Sequence, residues 1–218
     1  MKIENLKVYD TLECFKAAGY PMRTEIENSD HLEEKDVERA FKLVKASNGN
    51  GAHGQFLTGI RVNFDLTCSN KMWVEAERYR FLEFVSSQST MHRITKFDIK
   101  SQCNEYVDPR VIAIAQEKID AYNADPRSNK EKVDMKLAIL YNIPSGFELT
   151  ARMTTNYRCL LNIYIQRHNH ELPEWREFCE YIKNNLPFFN LFIKAYNQEE
   201  FNEALNAVAD EEAMDSTD

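Results

Sequence analysis

Apolar and polar positions alternate at period two along residues 1–9, where Ile3, Leu6 and Val8 predict an opening strand. The period lengthens over Lys35 to Ala46, where Val37, Ala40, Phe41 and Val44 fall at helical spacing behind the acidic start Glu33-Glu34. Asn48-Gly49-Asn50-Gly51 is the strongest turn signal in the chain and predicts a loop. Period two returns in Ile60 to Leu66, a half-buried strand, and a helix follows from Asn70 to about Arg80. The polar run Ser86-Ser87-Gln88-Ser89-Thr90 has no periodicity that assigns it. Pro109–Tyr122 and Lys130–Tyr141 read as two helices parted by the Asp125-Pro126 turn. Gly146 to Thr155 reads as a strand with Phe147, Leu149, Ala151 and Met153 on one face. Helices then cover Asn156–His168, Glu174–Asn185 and Phe188–Tyr196. Strands and helices do not alternate as βαβ units, so the expected class is α+β: one helix-rich domain with a small, mostly antiparallel sheet.

Composition removes several classes. The 218 residues include only six glycines and six prolines, and 43% are hydrophobic, which excludes collagen-like, linker-like and wholly disordered chains. No run of eighteen apolar residues is present, and Met1-Lys2-Ile3-Glu4-Asn5 lacks an apolar signal core, so a cytoplasmic chain with no membrane partner is expected. The net charge of −8 is local: residues 196–218 hold eight acids and no Lys or Arg, leaving the first 195 residues neutral. That pattern predicts a domain over residues 1–207 with a solvated acidic tail at 208–218. A neutral body lacks the basic stripe that nucleic-acid binding requires. Cys14, Cys68, Cys103, Cys159 and Cys179 are widely spread, form no C-x-x-C pair, and read as reduced, partly buried thiols.

Chemistry by motif is thin. There is no G-x-G-x-x-G, no G-x-x-x-x-G-K-[ST] and no G-x-S-x-G elbow. The histidines have no partner at metal spacing, so no metal site is assigned and the catalytic residues stay unassigned. The helix after Asn156 is more informative. At about 100° per residue, Arg158 and Asn162 lie one turn apart on one face, while Arg167 falls on another face between Leu160 and Ile163. An arginine in an apolar stripe calls for an anion or carboxylate, or it snorkels out or pairs with Glu171. Arg78-Tyr79-Arg80 places two guanidiniums around a ring; they clamp a phosphate or pair with Glu75 and Glu77 at i,i+3.

The series Asn156-x-Arg158-x-Leu160-x-Asn162, then Arg167, then Glu174-Trp175-Arg176 resembles the C-terminal signature of flavin-dependent thymidylate synthases. Order and spacing match through Arg167, with one extra residue before Trp175. The central family motif, Arg-His-Arg followed by spaced serines, is similar to Arg78-Tyr79-Arg80, Ser86 and Ser89-Thr90-Met91-His92-Arg93; the Gly-His entry is similar to Ala52-His53, and Leu-Pro to Ile143-Pro144. The resemblance runs from about residue 40 to 195 and also extends to the divergent bacteriophage members. It implies FAD held by His53, Arg78, Tyr79, Arg80, Ser86, Asn156, Arg158 and Asn162. It further implies a pyrimidine deoxynucleotide such as dUMP met by Glu75, Ser89 and Arg167, methylenetetrahydrofolate as carbon donor, and a homotetramer. The implied activity is methylation at C5 of the nucleotide. The alternatives are the same fold kept as a nucleotide- or flavin-binding protein, or an interaction protein. The chain departs from the family at Thr58-Gly59 (Glu-His in the family), Tyr79 (His), Met91-His92 (Arg-Tyr) and Leu140, where an Arg that contacts the nucleotide is expected.

Overall fold

The structure, a computed structural model, describes residues 1–26, 30–47 and 51–215, with side chains through residue 210. Four strands form one sheet in the order β1-β2-β4-β3: β1 (Lys2–Tyr9), β2 (Arg61–Ser69), β3 (Glu83–Ser87) and β4 (Glu148–Asn156). The helices are α1 (Thr11–Ala17), α2 (Glu34–Ser47), α3 (Asn70–Ala76), α4 (Thr90–Arg93), α5 (Pro109–Ala124), α6 (Val133–Leu140), α7 (Tyr157–Arg167), α8 (Pro173–Asn185), α9 (Phe189–Tyr196) and α10 (Phe201–Asp215). A 3₁₀ segment, Ala52–Thr58, precedes β2. The class is α+β and helix-rich, as the sequence predicts.

Strand pairing follows from side chains that meet across β2 and β4. Asp65 pairs with Arg152 at 3.1 Å and Thr67 with Thr150 at 2.7 Å; the numbers rise on one strand as they fall on the other, which is antiparallel pairing. Alternation is strict: Val62, Phe64, Leu66 and Cys68 are buried on one face of β2, while Asn63, Asp65 and Thr67 are half-buried on the other. Asn5 interrupts β1 at φ 51°, a left-handed conformation that Asn tolerates, and its amide donates to Asp65 Oδ2 at 2.5 Å.

The chain divides into two compact units, Met1–Asn5 with Phe64–Met153, and Leu6–Asn63 with the chain from Thr154 onward. The second unit has an aromatic interior. α2 buries Val37, Ala40, Phe41 and Val44, and α9 buries Phe189, Leu191, Phe192 and Ile193. Phe15 lies 5.6 Å from Phe192, Phe41 lies 5.4 Å from Phe201, and Tyr157 meets Phe189 edge-on at 5.4 Å while donating its hydroxyl to the Pro187 carbonyl at 2.9 Å. Such pairs add about 0.5–1.5 kcal/mol each beyond burial. The first unit has a smaller cluster of Ile94, Ile99, Ala115, Ile119, Tyr122, Ile139 and Phe147.

Element ends show why several expectations shift. The helix from Asn70 stops at Ala76, and Arg78 to Arg80 follow it in turns. Lys130 and Glu131 lie in a turn, so α6 starts only at Val133. Asn156 is not helical: its side chain accepts the Cys159 N–H at 3.0 Å and caps α7. The unassigned Ser-rich run contains the end of β3 and the cap of α4. α10 runs across the boundary expected at residue 207 and is helical as far as Asp215; Phe201 and Ala204, which it buries, precede the acidic tail. The loop expected at Asn48–Gly51 lies outside the described residues except for Gly51.

Candidate functional site

In the second unit, α7 carries the residues that the sequence singles out. Arg158 and Asn162 are both half-buried while Cys159, Leu160, Leu161 and Ile163 are buried, so the two polar residues share one semi-open face. The Arg158 guanidinium donates to Gln55 Oε1 at 2.5 Å, and Asn162 Oδ1 accepts from Gln166 at 3.1 Å. Gln55 belongs to the 3₁₀ segment that also presents exposed His53, and this segment packs against α7. His53, Arg158 and Asn162 are thus carried by two elements in contact, and Asn156 stands at the head of α7 as its cap.

The 3₁₀ segment closes at Thr58-Gly59. Thr58 Oγ1 donates to the Gln55 carbonyl at 2.7 Å, closing the segment. A Cβ at Gly59 would lie 2.5 Å from Cys14 Sγ, so no side chain fits there unless Cys14 moves. Thr58 and Gly59 thus supply a closing hydroxyl and a residue without bulk.

Arg167 is half-buried at the end of α7. Its guanidinium lies 5.2 Å from the Trp175 ring and its Nη1 is 2.6 Å from His170 Nε2. Cys179 feels the same cation: burial pushes its thiol up to about 12, with Arg167 opposing. The nearby Arg176 donates to the carbonyls of His170 and Glu171, at 2.5 and 2.9 Å, tying down the turn between α7 and α8.

In the first unit, Arg78 and Arg80 are exposed on either side of Tyr79, which is 8% exposed. Arg80 lies 5.4 Å from the Phe81 ring. Glu75 pairs with Lys71 at 3.0 Å. Ser86 is exposed on β3, and the Ser89 hydroxyl accepts the His92 N–H at 3.3 Å, capping α4.

The same unit holds a cavity of about 620 Å³ that sequence reasoning missed. His92, Arg93, Lys96, Lys132 and Lys136 reach its wall, together with the apolar Met91, Val133, Leu137 and Leu140 and no carboxylate. Four cationic side chains and a histidine around one concavity favour an anion, and the apolar wall favours an organic one. The residues come from two stretches some forty positions apart, which no local motif joins. The only hint in sequence is the density of basic residues in each stretch.

No protein-family model matches the sequence, and no curated protein sequence matches it. Solved structures do match in fold. Flavin-dependent thymidylate synthase ThyX from Helicobacter pylori, complexed with FAD and dUMP, superposes with a TM-score of 0.65 at 17% identity over 88% of this chain and 98% of that one. A second structure of the Helicobacter pylori enzyme with FAD and dUMP gives 0.66 at 18% identity, covering 90% and 99%. The UMP/dUMP methylase PolB from Streptomyces cacaoi, bound with 5-Br dUMP, gives 0.59 at 12% identity, covering 92% and 97%. The chain therefore has the flavin-dependent thymidylate synthase fold.

Proposed function

We propose that the protein transfers a one-carbon unit to C5 of a pyrimidine deoxynucleotide such as dUMP, using FAD and methylenetetrahydrofolate. The observation that carries this reading is the coincidence of two independent features on one fold. The fold is that of enzymes solved with FAD and dUMP or a dUMP analogue. The cavity of the first unit offers an organic anion basic side chains and an apolar wall.

The residues fit a flavin dinucleotide chemically. Arg158 and Asn162 present N–H donors from a half-buried helix face, and Arg78 and Arg80 present exposed guanidiniums, the fork suited to a pyrophosphate. His53, Tyr79, Ser86 and Asn156 complete the proposed FAD set, with Asn156 acting through the cap that orients α7. Reduced FAD would supply the hydride, and methylenetetrahydrofolate the carbon. Glu75, Ser89 and Arg167, none of which lines that cavity, are assigned to the nucleotide on the resemblance alone. Arg167 is pre-oriented by stacking on Trp175, which lowers the entropy lost when it grips a ligand. The assembly proposed is a homotetramer and the compartment the cytoplasm; no helix among the described residues is long and apolar enough to cross a membrane.

The test is product formation. Protein, FAD, a flavin reductant, methylenetetrahydrofolate and dUMP should yield a product one methyl group heavier. Binding of FAD and dUMP without product would leave the nucleotide- or flavin-binding alternative, for which the loss of the family's Glu-His pair at Thr58-Gly59 speaks. Failure to bind either ligand would leave the interaction-protein reading.

A further inference from the structure

The cations around the cavity of the first unit are not equivalent. Lys132 is 6% exposed, and its ammonium donates to the carbonyls of Tyr122 at 2.9 Å and Asp125 at 3.0 Å while lying 4.2 Å from the Tyr122 ring. Its donors are engaged in joining the end of α5 to the start of α6, so it is a structural cation. Asn123 and Asn129 are engaged likewise, the first donating to the Thr95 carbonyl at 3.1 Å and the second accepting the Tyr122 hydroxyl at 3.0 Å. Arg93, Lys96 and Lys136 differ: no carboxylate of the described residues pairs with them. Lys136 is also the half-buried one of the three, the other two being exposed. An ammonium with no carboxylate partner on the wall of a cavity can meet an anionic ligand without first breaking an ion pair.

Position on the helix adds a second, independent argument. Lys136 and Leu140 both line the cavity and stand at i and i+4 on α6, one above the other on a single face. Leu140 is the wall position that can make no polar contact, and Lys136 is the flexible side chain one turn before it.

We infer that Lys136 is the specificity-determining contact to the phosphate of the nucleotide, with Arg93 as the second cation and Leu140 as apolar wall. This rests on the proposed nucleotide reading and adds to it the residue that reads the charged end of the substrate. Lys supplies a point charge in place of a planar fork, so recognition there depends on charge more than on direction.

The experiment is calorimetric titration of the full chain with dUMP, deoxyuridine and inorganic phosphate, beside a melting curve for each variant. Lys136→Gln is expected to weaken dUMP binding by roughly tenfold or more, about 1.4 kcal/mol or above. Its melting temperature and its weaker binding of deoxyuridine, which lacks the phosphate, should not change. Lys136→Arg should retain dUMP binding, and Lys136→Gln with Leu140→Arg should regain part of it. Lys132→Gln, by contrast, should lower the melting temperature. Undiminished dUMP binding by Lys136→Gln overturns the inference and leaves the proposed function standing. So does an equal loss for dUMP and deoxyuridine, since the phosphate is then not what Lys136 reads. A wild-type chain that binds neither dUMP nor phosphate overturns both.

Discussion

The two compact units differ in what they leave open. The second unit spends its aromatics on the interior: Phe15, Phe41, Tyr157, Trp175, Phe178, Phe189 and Phe192 are all fully buried. The first also buries Phe64, Trp73, Tyr79 and Phe147, but beside its mostly aliphatic cluster it keeps a cavity whose wall carries basic side chains. A packed interior and an open basic cavity are different answers to where binding energy is kept. The packed unit buries one side of α7 against α8, α9 and the 3₁₀ segment, leaving Arg158, Asn162 and Arg167 half-buried. The cavity unit keeps basic side chains, Lys136 among them, on an accessible wall.

Removing an aromatic from the second unit should be the most costly change. Phe192→Ala empties the space between Phe15, Phe56 and Tyr157 and should cost about 3–5 kcal/mol by chemical denaturation. Met91→Ala on the cavity wall, where Met91 is exposed, should cost less than about 0.5 kcal/mol, and equal effects would erase the contrast between the units.

Next in size is Asp36, a buried carboxylate held by two guanidiniums. Asp36 accepts from Arg39 at 2.8 Å and Arg23 at 3.4 Å. Burial alone would push its carboxyl up, but Arg39, the Glu33 N–H and Arg23 together hold it below its usual range. Asp36→Asn should cost about 2–4 kcal/mol at neutral pH. Because the folded value is depressed, this stability is present above about pH 4 and is lost as pH falls through the folded value. Urea midpoints of wild type and variant should therefore converge on acidification; a gap that widens would contradict the pairing.

Arg167→Lys separates ligand grip from structure. Fold should survive, while dUMP affinity should fall by roughly tenfold or more, on the order of 1.4 kcal/mol, because the fork is lost and the charge kept. A melting shift with unchanged dUMP affinity would make Arg167 a structural cation on Trp175.

The smallest effect is expected at the end of α10. Removing residues 208–218 leaves buried Phe201 and Ala204 in place and should change stability by under about 1 kcal/mol. A larger drop in melting temperature would show that the last turns of the helix pack.

What could be read from sequence follows the same division. α2, α7, α8 and α9 bury one face deeply, and period alone finds them. β3 is exposed at every position, so no alternation marks it; it is a strand because its partner β4 lies beside it, as when the N–H of Gln88, just beyond its end, bonds the Thr150 carbonyl at 2.9 Å. α10 did carry a signal, since Phe201, Ala204, Leu205 and Val208 recur at helical spacing, but the run of acids obscured it. The polar face of α7 was legible as two residues one turn apart. The cavity was not, because its cations come from α4 and the turn after it and from the start of α6, some forty positions on, and meet only in the fold.

Flavin binding by the wild-type chain and by Arg158→Ala tests the central claim most directly. On titration with FAD, the wild type should quench flavin fluorescence saturably, and Arg158→Ala should bind about 1–3 kcal/mol more weakly with an unchanged melting curve. Saturable binding with equal affinity in the two proteins would remove α7 from the flavin site, and no quenching by the wild type at any FAD concentration would contradict a flavin-dependent function altogether.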